Sequence, residues 1–244
     1  HNLESIFYPI DWCDILEITP SEHTSFTSSG IAIPGDQENN LCLQVYNILQ
    51  EKFNIPPVHI HLKKIIPIGA GLGGGSADAS FTLKMLNDMF SLNLTETEME
   101  EIVRPLGSDC AFFIRNKPRF TYNKGDFFKD AKLDLTGLHL LLVNPNIHIS
   151  TKEAYAGITP KKAKVNLEEL TAERLTSNKI QVENDFEHSI FPNHPQLVHI
   201  KKELNEMGAL YSSMSGGGST VYGIFKNKPD TLLFSDFTTY ITVL

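Results

Sequence analysis

Between Ile68 and Ser80 the chain reads Ile-Gly-Ala-Gly-Leu-Gly-Gly-Gly-Ser-Ala-Asp-Ala-Ser, with glycine at 69, 71, 73, 74 and 75. Glycine takes positive φ without the steric cost other residues meet. Such a run lets successive backbone N–H groups turn inward. It follows an alternating, strand-like segment, Val58 to Leu62, and leads into a helix expected to open at Ser76 and to carry Phe81, Leu83, Met85, Leu86 and Met89. Inward N–H groups and the positive end of a helix together form an anion site suited to a polyphosphate. A plain flexible turn is the alternative, but five glycines in seven positions cost more backbone entropy than a filler loop warrants. No Gly-Lys-Ser/Thr is present, so the loop is not the P-loop of the common nucleotide hydrolases. Gly71-Leu72-Gly73-Gly74-Gly75-Ser76 lacks the third glycine and the flanking order of the dinucleotide fingerprint.

Other residues could do chemistry near such a loop. Asp109 stands before the apolar run Cys110 to Ile114; it could accept a proton or cap a helix, and spacing alone favours the cap. Lys64, just before the loop, reads on its own as a solvated strand residue. Ser76 could reach a phosphate or its Mg²⁺, or merely cap its helix. Asp78 could approach a metal or serve as a first-turn charge, and no metal ligand is assigned. Gly216, Gly217 and Gly218 form a second permissive loop.

The elements that must hold these residues read as mixed α and β. Strands are expected at Leu3 to Pro9, Asp14 to Thr19, Ile31 to Ile33 and Val58 to Leu62. Helices are expected from Asn40 to about Phe53 and over about 96–104, the second announced by the Thr95 and Glu98 capping pair. Strand-like material follows around 118–122 and 126–135, then Gly137 to Val143. Ser150 or Thr151 caps a short helix through Tyr155. The polar segment 160–182 is partly helical, and helices are expected at 184–191 and 195–207. Ala209 to Met214, the glycine loop, Thr220 to Phe225, a short helix after Pro229 and Thr238 to Leu244 form a β-loop-β-α-β ending. The domain boundary falls near 133–136, giving domains 1–134 and 135–244.

Of 244 residues, 41% are hydrophobic and 20% charged, which suits a globular chain with a core. The net charge of −8 argues against a broad nucleic-acid surface but leaves room for a local basic pocket for a phosphorylated small molecule. Three cysteines, Cys13, Cys42 and Cys110, match no metal or redox spacing and read as reduced thiols in the cytoplasm. Apolar stretches such as Leu138 to Val143 are far shorter than the ~20 residues of a membrane helix. The chain opens at His1 rather than at methionine, so a preceding segment is expected.

Pro67-Ile68-Gly69-Ala70-Gly71-Leu72-Gly73-Gly74-Gly75-Ser76-Ala77-Asp78-Ala79 resembles the central P-x-x-x-G-L-G-S-S-A signature of the GHMP kinases. The triple glycine before Ser-Ala-Asp-Ala is similar to the branch whose substrate is a cytidine diphosphate-linked methylerythritol, on the non-mevalonate route to isoprenoids. The resemblance covers nearly the whole chain in order. It includes the His1 to Phe7 opening, Asn39-Asn40-Leu41, Leu106 to Phe113 with Ala111 in place of a usual proline, and Val143-Asn144-Pro145. Ser150 to Tyr155, Asn184 to Glu187, and Met214 to Val221 with Gly217 where serine is common complete it.

That resemblance implies an α+β fold, with an N-terminal domain like ribosomal protein S5 domain 2 and a ferredoxin-like C-terminal domain. It implies transfer of the γ-phosphoryl of ATP, with Mg²⁺, to an alcohol. Asp109 then becomes the base. Lys64, Pro67, Gly69, Ala70, Gly71, Leu72, Gly73, Gly74, Gly75 and Ser76 are implied for ATP, with Asn40 beside the adenine pocket. His1, Tyr155, Thr151, Gly216 and Gly217 are implied for the substrate. The family carries a lysine and an asparagine upstream of its Gly-Tyr-His, and these are expected ahead of His1. The partner implied is a small molecule, with no nucleic acid and no membrane, and the chain is expected as a monomer or weak homodimer. A mevalonate, phosphomevalonate or homoserine kinase, or an inactive binding relative, is the alternative.

Overall fold

The computed structural model describes residues 2–177 and 182–244, which divide into two compact units. One comprises residues 2–68 and 73–128; the other comprises 129–244 together with the short segment 69–72. His1 and residues 178–181 lie outside the described residues.

In the N-terminal unit, β2 (Ile15–Pro20), β4 (Val58–Lys64) and β3 (Ser25–Gly30) form a sheet in the order β2-β4-β3. β2 runs antiparallel to β4 and β3 runs parallel to it. A parallel pair needs a crossover, which α1 (Leu41–Phe53) supplies. A second sheet contains β1 (Ser5–Phe7), β5 (Arg119–Tyr122) and β6 (Phe127–Asp130) in the order β1-β5-β6. α2 (Gly74–Met89), α3 (Glu96–Val103) and α4 (Cys110–Arg115) complete the unit. The Thr95 and Glu98 capping box forms at α3. Val45 and Leu49 of α1, Ile60 and Leu62 of β4, and Leu83 and Leu86 of α2 are fully buried in one cluster.

The expected strand at Ile31 to Ile33 is instead a loop, and β3 lies just before it. β3 was hidden by its polarity, since Ser-Phe-Thr-Ser-Ser-Gly carries a single apolar side chain. The reason lies across the sheet. Strand alternation turns His59 and His61 of β4 outward, and the β3 hydroxyls bond to them. Ser25 Oγ is 2.8 Å from His59 Nδ1, Thr27 Oγ1 is 3.2 Å from His59 Nε2 and 2.8 Å from His61 Nδ1, and Ser29 Oγ is 3.0 Å from His61 Nε2. The strand expected over 126–135 is likewise shorter, ending at Asp130.

The C-terminal unit contains β7 (His139–Asn144), β8 (Tyr211–Met214), β9 (Val221–Phe225) and β10 (Thr238–Val243). Their order is β10-β7-β9-β8, all antiparallel. This is the 4-1-3-2 order of a ferredoxin-like sheet. α5 (Thr151–Ala156), α6 (Ala172–Leu175), α7 (Asp185–Ile190) and α8 (Pro195–Glu206) lie between β7 and β8, and the second connection is a single 3₁₀ turn, Leu232–Phe234. Leu141, Val143, Ile190, Leu197, Ile200, Leu204 and Val221 are completely buried here.

One buried carboxylate joins this unit's helices to its edge strand. Glu187 of α7 accepts from Met214 N at 2.8 Å and Ser213 Oγ at 3.1 Å, and its other oxygen pairs with Lys201 Nζ of α8 at 2.5 Å. Glu187→Ala orphans a buried N–H and the ammonium, so it should cost about 1–3 kcal/mol. A lowered thermal midpoint and faster hydrogen exchange at the Met214 amide are the expected readouts. An unchanged midpoint would contradict this role.

Candidate active site

Strand alternation decides the first site residue. In β4, Val58, Ile60 and Lys64 share the inward parity with Leu62, and Lys64 is only 4% exposed. The solvated reading of Lys64 is therefore overturned. Its ammonium lies 2.5 Å from Asp14 Oδ2 and 2.9 Å from Asp78 Oδ2. Asp14 precedes β2, and its other oxygen accepts from Ile65 N and Ile66 N at 2.5 and 2.9 Å. One ammonium thus ties the start of β2, the end of β4 and the second turn of α2. Burial works to lower the Lys64 pKa, but Asp78 and Asp14 outweigh it and the net direction is up. Burial pushes Asp78 up to about 6, although Lys64 opposes the shift. Asp78, unassigned from the sequence, is thereby committed to an ion pair. Asp14 was missed: no motif marks it, because its role depends on a turn fifty residues away.

The loop after β4 alternates in conformation. Gly69, Gly71 and Gly73 have φ of +68°, +75° and +67°. α2 begins at Gly74, two residues earlier than expected, with Gly73 in the left-handed cap position. The first helical bond runs from Ala77 N to Gly73 O, and no side chain caps the end. The N–H groups of Gly74, Gly75 and Ser76 therefore have no intrahelical partner and remain available to an anion. Gly74 is glycine for a spatial reason as well: a Cβ there would stand 3.0 Å from Lys64 Nζ.

Asp109 sits directly before α4 with φ −81° and ψ −15°, and its side chain makes no cap hydrogen bond. A capping residue is extended and its oxygen is engaged, so the capping reading fails. Asp109 Oδ2 instead lies 4.0 Å from where a Cβ on Gly73 would stand, beside the open end of α2. Burial alone raises its pKa, and among the described residues no cation pairs with it. The spacing between α2 and α4 is set by Ser80, quoted in the sequence but given no role. Its hydroxyl reaches Ser76 O at 2.9 Å and Cys110 O at 2.6 Å.

In the C-terminal unit, segment 69–72 is held by the second glycine loop. Thr220 N donates to Ala70 O at 3.1 Å, and Ser215 Oγ donates to Gly71 O at 2.7 Å. A Cβ on Gly71 would fall 2.1 Å from Ser215 O. Gly216 and Gly218 have φ of +52° and +89°, and a Cβ on Gly217 would meet Ala154 of α5 at 3.1 Å. α5 also carries Thr151 and Tyr155. Ser150, not Thr151, caps it, accepting from Glu153 N at 3.1 Å. The Tyr155 ring is 37% exposed and meets Phe186 edge-on. Asn40 caps α1, its oxygen accepting from Cys42 N at 2.9 Å. Pro67 and Leu72 are partly buried. His1 lies outside the described residues. Among those residues no three His, Cys, Asp or Glu side chains could hold a metal, and no helix is long and apolar enough to cross a membrane.

The GHMP kinases N terminal domain matches residues 40–117 and the GHMP kinases C terminal family matches residues 166–232. A 4-diphosphocytidyl-2-C-methyl-D-erythritol kinase of Cytophaga hutchinsonii is 51% identical over 95% of this chain and 86% of its own length. The like-named protein of Parabacteroides distasonis is 47% identical over 97% and 88%. The crystal structure of a 4-(cytidine 5'-diphospho)-2C-methyl-D-erythritol kinase shares the fold at a TM-score of 0.78. It is 24% identical and covers 92% of this chain and 81% of that one. A homoserine kinase from Cytophaga hutchinsonii shares it at 0.70 with 15% identity, covering 99% and 94%. The fold is thus common to several kinases, and the sequence narrows it: with both domains matched in order and 51% identity across nearly its whole length, this chain belongs to the GHMP kinases, in the family of the 4-diphosphocytidyl-2-C-methyl-D-erythritol kinases.

Proposed function

We propose that this chain transfers the γ-phosphoryl group of ATP to the 2-hydroxyl of 4-diphosphocytidyl-2-C-methyl-D-erythritol, a step toward isoprenoid precursors. The carrying observation is the identity of 51% over 95% of the chain with a kinase so named. The local geometry supports the reaction class. The open N–H groups of Gly74, Gly75 and Ser76 donate to phosphate oxygens, and the glycines at 69, 71 and 73 keep side chains out of the way. Asp109 stands beside them as the group that takes the alcohol proton. Transfer to a phosphoryl group demands chiefly positioning and charge neutralisation. Mg²⁺ carried on the nucleotide supplies part of that neutralisation. It is usually held by phosphates, water and few protein groups. The Ser76 hydroxyl, in the first turn of α2, is the candidate protein ligand.

Lys64 acts from beneath, fixing the end of β4 and the start of α2. Thr151 and Tyr155 on α5, with Gly216, Gly217 and His1, are assigned to the substrate, the exposed Tyr155 ring offering a face to the base.

An ADP-release assay tests the substrate assignment. Turnover is expected with the cytidine diphosphate-linked alcohol and not with mevalonate or homoserine. Comparable turnover of mevalonate would refute it.

Asp109→Asn should lower kcat by about 10²–10³-fold, the lower part of the range for a positioned base, because a loose transition state needs the base less. Its raised pKa fixes the sign of two further effects. A folded-state pKa above the unfolded one means stability is lost as pH rises through it. Neutral Asn removes that loss, so the thermal midpoint at pH 7 should hold or rise. In the parent protein the acid limb of kcat should lie above the usual carboxylate range. Near-normal kcat in the variant would exclude Asp109 as the base.

Gly73→Val places a β-branched residue at φ +67°, with its Cβ 3.1 Å from the Phe113 ring. Strain of about 1–2 kcal/mol should be exceeded by the effect on ATP. Losing one charge-assisted N–H contact, worth about 1.5–3 kcal/mol, weakens ATP binding by roughly tenfold or more. Unchanged affinity in a titration would remove the loop from the site.

A further inference from the structure

We infer that Asn184 is a positioning residue for the glycine loop at 69–72, acting through its side-chain amide rather than as a helix cap alone. The inference rests on the kinase reading in one respect, that this loop receives ATP. Asn184 precedes α7, and its Oδ1 accepts from Phe186 N at 3.0 Å. That is a cap, and Asp, Ser or Thr would make it equally well. Its Nδ2 does something those residues cannot. It donates to Met214 O and to Gly216 O, each at 2.8 Å. These carbonyls bracket Ser215, so one amide fixes the peptide group that enters that serine and the one that leaves the glycine after it.

Ser215 is the residue that grips the first loop. Its hydroxyl donates to Gly71 O at 2.7 Å, and its carbonyl packs where a Gly71 side chain would otherwise stand. Its own N–H donates to Thr220 O at 2.8 Å, and the neighbouring Thr220 N holds Ala70 O. Gly216, Gly217 and Gly218 follow, three residues with little conformational preference of their own. The Gly218 N to Ser215 O bond closes the turn, and the amide of Asn184 holds the carbonyl of the first of them. Segment 69–72 leads directly into Gly73, which opens α2. An error in Ser215 therefore shifts the backbone of 69–72 itself, the loop read as receiving phosphate. A shift of a fraction of an ångström there is enough to weaken a preorganised contact.

A cap and a positioning residue respond differently to Asn184→Asp. The carboxylate keeps the cap oxygen but replaces the donor with a negative oxygen facing two carbonyls. The test uses the full chain and compares the parent with Asn184→Asp, Asn184→Ala and Ser215→Ala, measuring thermal midpoint, ATP affinity by calorimetry, and KM for ATP against kcat. For Asn184→Asp the expected result is a modestly lowered midpoint, from the two lost donor contacts, with ATP affinity and KM worsened about fivefold to tenfold, the size of one or two net hydrogen bonds. The Ala variant should worsen ATP binding similarly and lose more stability. Ser215→Ala, which removes only the hydroxyl on Gly71 O, should weaken ATP binding with an intact cap. If Asn184 is a cap alone, Asn184→Asp behaves like the parent in every measurement, and that result overturns the inference. Should Asn184→Asp not fold, unchanged ATP affinity in Ser215→Ala overturns it. A parent chain that binds ATP but ignores the cytidine diphosphate-linked alcohol defeats the substrate assignment, while the ATP affinities still decide this inference.

Discussion

There is no room for a side chain on Gly71. A Cβ there would lie 2.1 Å from the Ser215 carbonyl oxygen and 2.9 Å from that of Gly218. Two stretches of bare backbone meet at that point, and much of the site depends on the meeting. An anion cradle made of peptide N–H groups works only if those groups are aimed before the anion arrives. Glycine supplies the conformation but not the rigidity. The rigidity comes from Ser215 and Thr220, from Ala70 packed to 2% exposure, and from Asp14 holding the turn at Ile65 and Ile66.

Electrostatics divides the acids near α2 into two kinds. Asp14 and Asp78 share one cation, Lys64, in a buried triad that binds three elements. Such a triad gives modest net stability because desolvation offsets the attraction, but removing one member is costly. Asp109 has burial without a cation among the described residues. The same side chain is a brace where its charge is answered, and where it is not it keeps the character that the proposed role as base requires. Ser80, stitching α2 to Cys110, keeps Asp109 at its distance from the helix end.

Local patterns in the sequence carried most of the architecture. The glycine run, the capping pair at Thr95 and Glu98 and the periodicity of α1 each depend on residues a few positions apart, and each appears as expected. The strands of the β-loop-β-α-β ending appear too, but the short helix expected after Pro229 is reduced to the 3₁₀ turn Leu232–Phe234. What could not be read depends on distance. β3 escaped because its stability comes from two histidines thirty residues on, not from its own apolar pattern. The true start of α2 escaped because Gly74 and Gly75 look like loop residues until Lys64 is seen to need the space. Lys64 itself was readable: extending the alternation of Val58, Ile60 and Leu62 by one step points it inward. Asp14, Ser80 and Asn184 were not, since each acts on carbonyls or amides whose neighbours only the fold determines.

The ladder between β3 and β4 has a further consequence. Thr27 lies between His59 Nε2 and His61 Nδ1, and one hydroxyl proton can serve only one of them. If Thr27 donates to His61, then neutral His59 must carry its proton on Nε2 to donate to Thr27. Ser25 then donates to His59, and His61 donates to Ser29. Reversing any one of these bonds reverses all four. The two imidazoles therefore share a tautomer, and the outer strand of this sheet carries a proton polarity running along its length.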